Sequence, residues 1–197
     1  SSENVNLGGN YLINEQGRSD HVANTMPAPY YRFDGVDDYV SVGSGTDVGI
    51  TSAKSVEVMI KANSFADMVL VVDNQGSTDK QVLSLDDTGK VHFSTNVGST
   101  SDAIGSSNTL NTDTWYSIVA VKESGHTGNK TLYINGVDVT ATGSYLNQAN
   151  TDDIVIGATV YKDSYFFDGQ IKDVRIYNTA LTATEVKELY SGASVPF

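Results

Sequence analysis

From Tyr30 onward the apolar residues fall in short runs of period two, the pattern of strands that bury one face. Ser55-Val56-Glu57-Val58-Met59-Ile60-Lys61 alternates cleanly and sets Val56, Val58 and Ile60 on one side. Similar segments run over 68–72, 81–85, 90–94, 115–122, 131–135, 153–157 and 170–177. Turn formers separate them, because Gly and Asn accept positive φ and Asp caps its own backbone: Asp87-Thr88-Gly89, Gly125-His126-Thr127-Gly128-Asn129 and Asn135-Gly136. The last of these predicts a hairpin joining Leu132-Tyr133-Ile134 to Val137-Asp138-Val139. The polar stretch 98–114 reads as a long loop around one short strand. A single segment is helical: Thr182-Ala183-Thr184-Glu185 forms a capping box, and Val186, Leu189 and Tyr190 follow at helical spacing as far as Gly192. About ten short strands and one late helix of about two turns predict an all-β, two-sheet antiparallel sandwich. With no linker and no internal repeat, residues 1–197 read as a single domain.

Four segments, in order, resemble the laminin-G-like, concanavalin A-like lectin/glucanase jelly roll. They are Tyr31-Arg32-Phe33-Asp34-Gly35-Val36-Asp37-Asp38-Tyr39-Val40, then 55–62, then Trp115-Tyr116-Ser117-Ile118-Val119-Ala120-Val121 followed by Leu132-Tyr133-Ile134-Asn135-Gly136, and last Phe167-Asp168-Gly169-Gln170-Ile171-Lys172-Asp173-Val174-Arg175-Ile176-Tyr177 before the capped helix. The resemblance covers most of 30–190. It implies two antiparallel sheets, one of them concave, with the N- and C-terminal strands side by side and Phe33 and Phe167 in the core. It also implies a structural calcium ion where those strands meet, at positions matching Asp34, Gly35, Asp38 and Asp173. The sequence departs from the family pattern at Lys172, where many relatives carry a second acid. A fold of this kind hosts glycan-binding modules, glucanases, lyases and adhesion domains, so function has to come from residues.

Composition narrows the field. A formal charge of −12 from 24 acids and 12 bases disfavours a phosphate backbone or an anionic lipid surface as partner, so neither nucleic acid nor membrane insertion is expected. No run reaches the roughly 18 apolar residues of a membrane span, and any targeting peptide is expected to precede this chain. The absence of Cys excludes a disulfide scaffold, a thiol nucleophile and thiolate metal sites. Of the acids, 18 are Asp and 6 are Glu. Asp is both a turn former and a hard-oxygen ligand, so the excess points to many turns and admits calcium.

Catalytic constellations are missing. Glycoside hydrolysis needs two facing carboxylates, and glucanases of this fold carry theirs as a Glu-x-Asp-x-x-Glu run on one strand, which this sequence lacks. Glu57, the one Glu inside a confident strand, has no carboxylate on its face and reads as a solvated charge beside Lys61. His21, His92 and His126 fall in unrelated segments, and nothing marks a serine nucleophile. Arg occurs only at 18, 32 and 175, too sparsely for the lyase set. Ser84-Leu85-Asp86-Asp87-Thr88-Gly89 resembles a sialidase Asp box but fits a hairpin turn better, and Asn129-Lys130-Thr131 is a bare glycosylation triplet. Glycan binding needs aromatic rings for sugar faces and planar polar groups for hydroxyls. Trp115, Tyr133 and Phe93 sit in strand patterns and are assigned to the core. Tyr161-Lys162-Asp163-Ser164-Tyr165 and Asp73-Asn74-Gln75 are expected in loops at one rim, which makes Asp73, Asn74, Gln75, Tyr161, Lys162 and Tyr165 the candidate ligand contacts. The sequence thus reads as a non-catalytic carbohydrate-binding module stabilised by calcium, extracellular or surface-displayed, and part of a larger protein or particle. The alternative is a structural or adhesion module of a virion, tail fibre or cell surface with a protein partner; a hydrolase or lyase comes third.

Overall fold

Side chains that alternate across a strand let one face of each sheet be apolar, and two such faces close on each other here. The computed structural model describes residues 6–7, 10–11, 30–44, 55–75, 79–97, 100–123, 129–143, 153–159 and 161–191. Among these the strands are β1 (Asn6–Leu7), β2 (Asn10–Tyr11), β3 (Tyr31–Asp34), β4 (Val40–Ser44), β5 (Ser55–Ala62), β6 (Met68–Gln75), β7 (Asp79–Leu85), β8 (Val91–Val97), β9 (Thr100–Ser106), β10 (Tyr116–Lys122), β11 (Lys130–Ile134), β12 (Val137–Asp138), β13 (Thr140–Thr142), β14 (Asp153–Ile156) and β15 (Asp168–Tyr177). The helix α1 (Ala183–Ser191) follows.

One sheet has six strands in the order β12-β11-β10-β5-β15-β3, the other seven in the order β13-β9-β8-β7-β6-β14-β4; β1 and β2 pair separately. All pairings are antiparallel, and β3 lies against β15 with Asp34 opposite Asp168 and Tyr31 opposite Ile171. The chain therefore folds as the expected jelly-roll sandwich with its early and late strands side by side. Val56, Val58 and Ile60 point between the sheets, where Phe33, Phe93, Phe167, Leu83 and Ile171 meet them at no more than 2% exposure. Each such side chain contributes about 1.5–3 kcal/mol relative to an exposed one. Phe33 and Phe167 pack edge to face at 6.0 Å. Their closeness requires Gly157, since a Cβ there would come within 2.5 Å of Phe33 at a φ of +83°.

The local signals behave as their chemistry dictates. Asn135 and Gly136 both take positive φ, 52° and 75°, and turn β11 into β12. Thr182 accepts from the Glu185 amide while the Glu185 carboxylate accepts from the Thr182 amide, completing the capping box. The stretch after Val97 extends further than expected, as the seven-residue β9. The helix packs Val186 on Val119, Val121 and Tyr133, on the outer face of the six-stranded sheet. Tyr133 is thus buried, but beneath α1 and not between the sheets. Trp115 departs from expectation altogether. Tyr116 turns its ring toward the core, so alternation sends Trp115 to the outer face, where it is half-buried.

The β7–β8 turn is built on Asp86. Its Oδ1 accepts from the Thr88 and Lys90 amides and the Thr88 hydroxyl, and its Oδ2 from His92 Nε2 at 2.9 Å. Burial pushes the Asp86 carboxyl up, but the hydrogen bonds from Thr88, His92 and Lys90 outweigh it and hold the group down at about 2. A carboxyl lowered in the folded state stabilises it above the ordinary value of 3.8, and that stabilisation is lost as pH falls toward about 2. Asp86→Asn is therefore expected to cost about 1–2 kcal/mol at neutral pH and to flatten the stability curve between roughly pH 4 and pH 2. Denaturant unfolding of both proteins across that window measures it, and parallel curves would refute the role of Asp86.

Candidate functional site

Several connections meet at one end of the sandwich. Backbone bonds join Gly35 to Phe167, Asn63 to Asp168, Val69 to Tyr165, Leu110 to Gly89 and Asp113 to Ala62. The 157–167 connection is the longest presented there from the seven-stranded sheet. Its described residues are tied together: the Thr159 amide donates to the Ser164 carbonyl and the Lys162 amide to the Thr159 carbonyl, while Asp163 Oδ1 accepts from both Thr159 Oγ1 and Ser164 Oγ at 3.0 Å. Lys162 and Tyr165 hold φ of 62° and 55°, a left-handed conformation that L side chains adopt only when their surroundings impose it. Lys162 Nζ lies 3.3 Å from Asp153 and 5.8 Å from the Tyr39 ring centroid. Tyr161 and Tyr165 remain open, at 63% and 40% exposure.

The other half of the expected rim is elsewhere. Asp73, Asn74 and Gln75 continue β6 itself, paired with Gln81, Lys80 and Asp79 of β7, and so are strand residues and not a loop. Tyr165 is anchored beside Val69 at the opposite end of β6, about 13–20 Å of strand away. Lys162 reaches back along β14, to Asp153, next to the Ile154 that faces Asp73.

Asp34 and Asp38 do come together, with Asp37 as a third member that the sequence reading had not singled out. Carboxylate oxygens from all three lie within 4.8 Å of one another. Asp34 Oδ1 accepts from the Val36 and Asp37 amides and Asp38 Oδ2 from the Asp34 amide, which curls the loop around the three acids. Gly35 fits at the turn, since a Cβ there would press to 2.9 Å from Asp168 Cβ. Hard oxygens gathered this closely suit calcium. Asp173 is not among them. It sits about 16 Å along β15 from Asp168, at a φ of 51°, 3.8 Å from the Arg175 guanidinium. Asp168, opposite Asp34, is already engaged: Asn63 Nδ2 donates to one oxygen at 2.8 Å and Ser64 Oγ to the other at 2.7 Å.

Glu57 is not the solvated charge expected from its place beside Lys61. It is 3% exposed, and its Oε2 accepts from Arg175 Nη1 at 3.0 Å and Tyr177 Oη at 2.8 Å. Arg175 stands directly opposite it on β15, a neighbour that strand alternation alone does not disclose. His92 likewise spends Nε2 on Asp86. His21 and His126 lie outside the described residues. On the same outer face as Glu57, Trp115 meets Tyr30 at 5.9 Å between ring centroids, and Lys172 Nζ lies 5.0 Å from the Trp115 centroid.

A sequence profile for the concanavalin A-like lectin/glucanase superfamily matches residues 34–187. A comparison with curated protein sequences finds no match. Among solved structures, the chain is similar to the CBM40 domain of the Ruminococcus gnavus IT-sialidase bound to α2,3-sialyllactose, with a TM-score of 0.59 and 13% identity over 82% of this chain and 97% of that one. It is similar to the native heptameric SAP-like pentraxin of Limulus polyphemus, at TM-score 0.55 and 17% identity over 83% and 80% of the two chains. Domain 4 of AbnA, a GH43 extracellular arabinanase from Geobacillus stearothermophilus in complex with arabinotriose, aligns at TM-score 0.56 and 18% identity over 77% and 72%. At these identities the likeness is one of fold.

The Glu57 cluster is open to titration. Burial and the hydrogen bond to Glu57 push Tyr177 up to about 12. A phenol raised in the folded state stabilises the fold fully below its ordinary value of 10.0, and the contribution disappears as pH climbs to about 12. Tyr177→Phe should therefore show a shallower decline of melting midpoint across that window and lack the late step in phenolate absorbance; an unchanged absorbance titration would contradict the pairing.

Proposed function

The chain belongs to the concanavalin A-like lectin/glucanase superfamily, and on that footing we propose that it is a non-catalytic carbohydrate-binding module whose 161–165 loop supplies the sugar contacts. The observation that carries this reading is a pair of open tyrosines, Tyr161 and Tyr165, on a loop whose backbone is already fixed by Asp163 and by the bond from Val69. An aromatic ring presented without conformational freedom stacks on a sugar at low entropic cost. Lys162, on the same loop, carries its ammonium to Asp153 on β14 and adds a polar pair to that side of the loop. Two fold neighbours, the CBM40 domain with sialyllactose and the arabinanase domain with arabinotriose, support a glycan as ligand. In support of the non-catalytic part, Glu57 spends one carboxylate oxygen on Arg175 and Tyr177, and Asp86 spends its two oxygens on the β7–β8 turn and on His92. Asp73, Asn74 and Gln75, which pair with β7 along β6, are left outside this proposal. The same reading assigns the module an extracellular or surface-displayed setting.

Calcium belongs to the same proposal. Asp34, Asp37 and Asp38 would hold it, with the Gly35 turn bringing them together, and its role is to relieve the repulsion of three close carboxylates and secure the junction of β3 with β4.

A glycan array is expected to show binding that falls by about tenfold or more in Tyr161→Ala and Tyr165→Ala, as the loss of one stacked ring implies. Retention of full binding in both variants would remove the loop from the site. Calcium at about a hundred times its dissociation constant should raise stability by about 2.7 kcal/mol, since only the folded state binds it. The rise should vanish in Asp37→Asn and persist in Asp173→Asn; a melting midpoint indifferent to calcium and chelator would end the metal proposal.

A further inference from the structure

The outer face of the six-stranded sheet carries a second surface that the loop site does not use. Register places Arg32 on β3, Gln170 on β15 and Lys61 on β5 side by side in one row across the sheet. The next row sets Lys172 against Met59, and Met59 against Ser117 of β10. Trp115 and Tyr30 lean in from the two sides, with ring centroids 5.9 Å apart at an interplanar angle of 57°. Lys172 Nζ lies 5.0 Å from the indole centroid. Both rings are half-buried, so each keeps an accessible part.

The charges on this face are the informative feature. The chain has twice as many acids as bases, yet among the described residues none of Arg32, Lys61 and Lys172 makes an ion pair. The carboxylates of the flanking rows are already hydrogen-bonded. On one side Asp168 accepts from Asn63 and Ser64, and Asp34, opposite it, accepts from the Val36 and Asp37 amides; on the other Glu57 accepts from Arg175 and Tyr177. Three cations without an ion pair, one planar amide and an aromatic pair therefore share one face of the sheet. Rings stack on the apolar face of a pyranose, the cations meet an anionic substituent, and Gln170 offers both a donor and an acceptor to hydroxyls. Lys172 stands where the family resemblance implies an acid, so the exchange adds a cation where relatives place a negative charge.

We infer that this face binds an acidic saccharide, a short glycan whose rings carry carboxylate or sulfate. The inference shares with the preceding reading the premise that the domain binds glycans, but it rests on different residues and a different sheet.

Trp115 is the single tryptophan of the chain, so its emission reports this face alone. The full chain is titrated with sialyllactose, with an oligogalacturonate, with a sulfated heparin oligosaccharide and with neutral lactose. The expected result is a saturable change in emission with an acidic sugar that weakens with added salt and is absent with lactose. Lys172→Glu, at a surface position, should weaken it about tenfold or more while leaving the melting midpoint in place. A Tyr161→Ala, Tyr165→Ala double variant should leave it intact. The pattern across acidic sugars then separates carboxylate from sulfate recognition. The inference is overturned by no response to any acidic sugar, by an equal response to lactose, or by a Lys172→Glu protein that responds like the parent. Loss of array binding in the tyrosine variants with the emission response retained leaves both sites standing; a lost emission response with array binding retained overturns this one alone.

Discussion

A single extra residue, Asp173, sets the outer face of the six-stranded sheet. Between the pairs Lys172 with Met59 and Arg175 with Glu57, β15 spends two residues against the one residue, Val58, of β5. Asp173 is the surplus, bulged out at a φ of 51°. Strict alternation would turn Val174 and Ile176 away from the core if Ile171 faced it. The bulge resets the parity, so that Ile171 is fully buried and Val174 and Ile176 still pack on the same cluster. On the other side it aligns Arg175 and Tyr177 with Glu57 and leaves Lys172 directed at Trp115. The cost of one left-handed Asp, of order 1–3 kcal/mol, is offset by the full burial of Ile171, at about 1.5–3 kcal/mol, together with the partial burial of Val174 and Ile176.

That face is divided in two as a result. α1 covers Val119, Val121 and Tyr133 with Val186, and Ser55 ties the approach to the helix by donating to the Thr179 carbonyl and accepting from the Leu181 amide. Glu57 lies at the border of the covered half. A buried carboxylate with one partner removed would be expensive, and two partners on one oxygen explain how it is accommodated. Beyond Glu57 the cover ends and rings take over. Trp115 packs on Tyr30 and lies under the Lys172 ammonium while both rings stay half-buried, so this part of the face is structured and still open to a ligand.

What was legible in the sequence was local. The alternation in β5, the Asn135-Gly136 turn and the Thr182/Glu185 box each act within a few residues, and the structure contains all of them. Phe33 and Phe167 entered the core through a resemblance, and Asp34 with Asp38 formed a cluster because both lie in one short turn. The misplacements are all matters of register between distant segments. Glu57 looked solvated because Arg175 is 118 residues away in the chain. Trp115 looked like core because an aromatic at a strand start has two faces to choose from, and only the inward ring of Tyr116 decides it. Asp73 to Gln75 looked like a loop because their polarity resembles a turn, whereas the pairing with β7 extends the strand through them. One signal was present and unused: Ile171 and Val174, apolar at odd spacing within a single strand, announce a bulge.

The two surfaces ask different things of a ligand, and electrostatics decides how they differ. A net charge of −12 repels any polyanion at a distance. At physiological ionic strength that repulsion is screened over about 8 Å, whereas Arg32 and Lys61 stand on either side of Gln170, two strand spacings of about 4.8 Å apart, so their fields meet over a distance comparable to the screening length. A short acidic sugar fits inside that local field; a long polyanion extends beyond it and meets the acids of the 34–38 loop and the rest of the surface. The loop site has no such bias, because Lys162 is already paired with Asp153. Size and charge of the ligand, more than ring stacking, therefore separate what the two faces can hold.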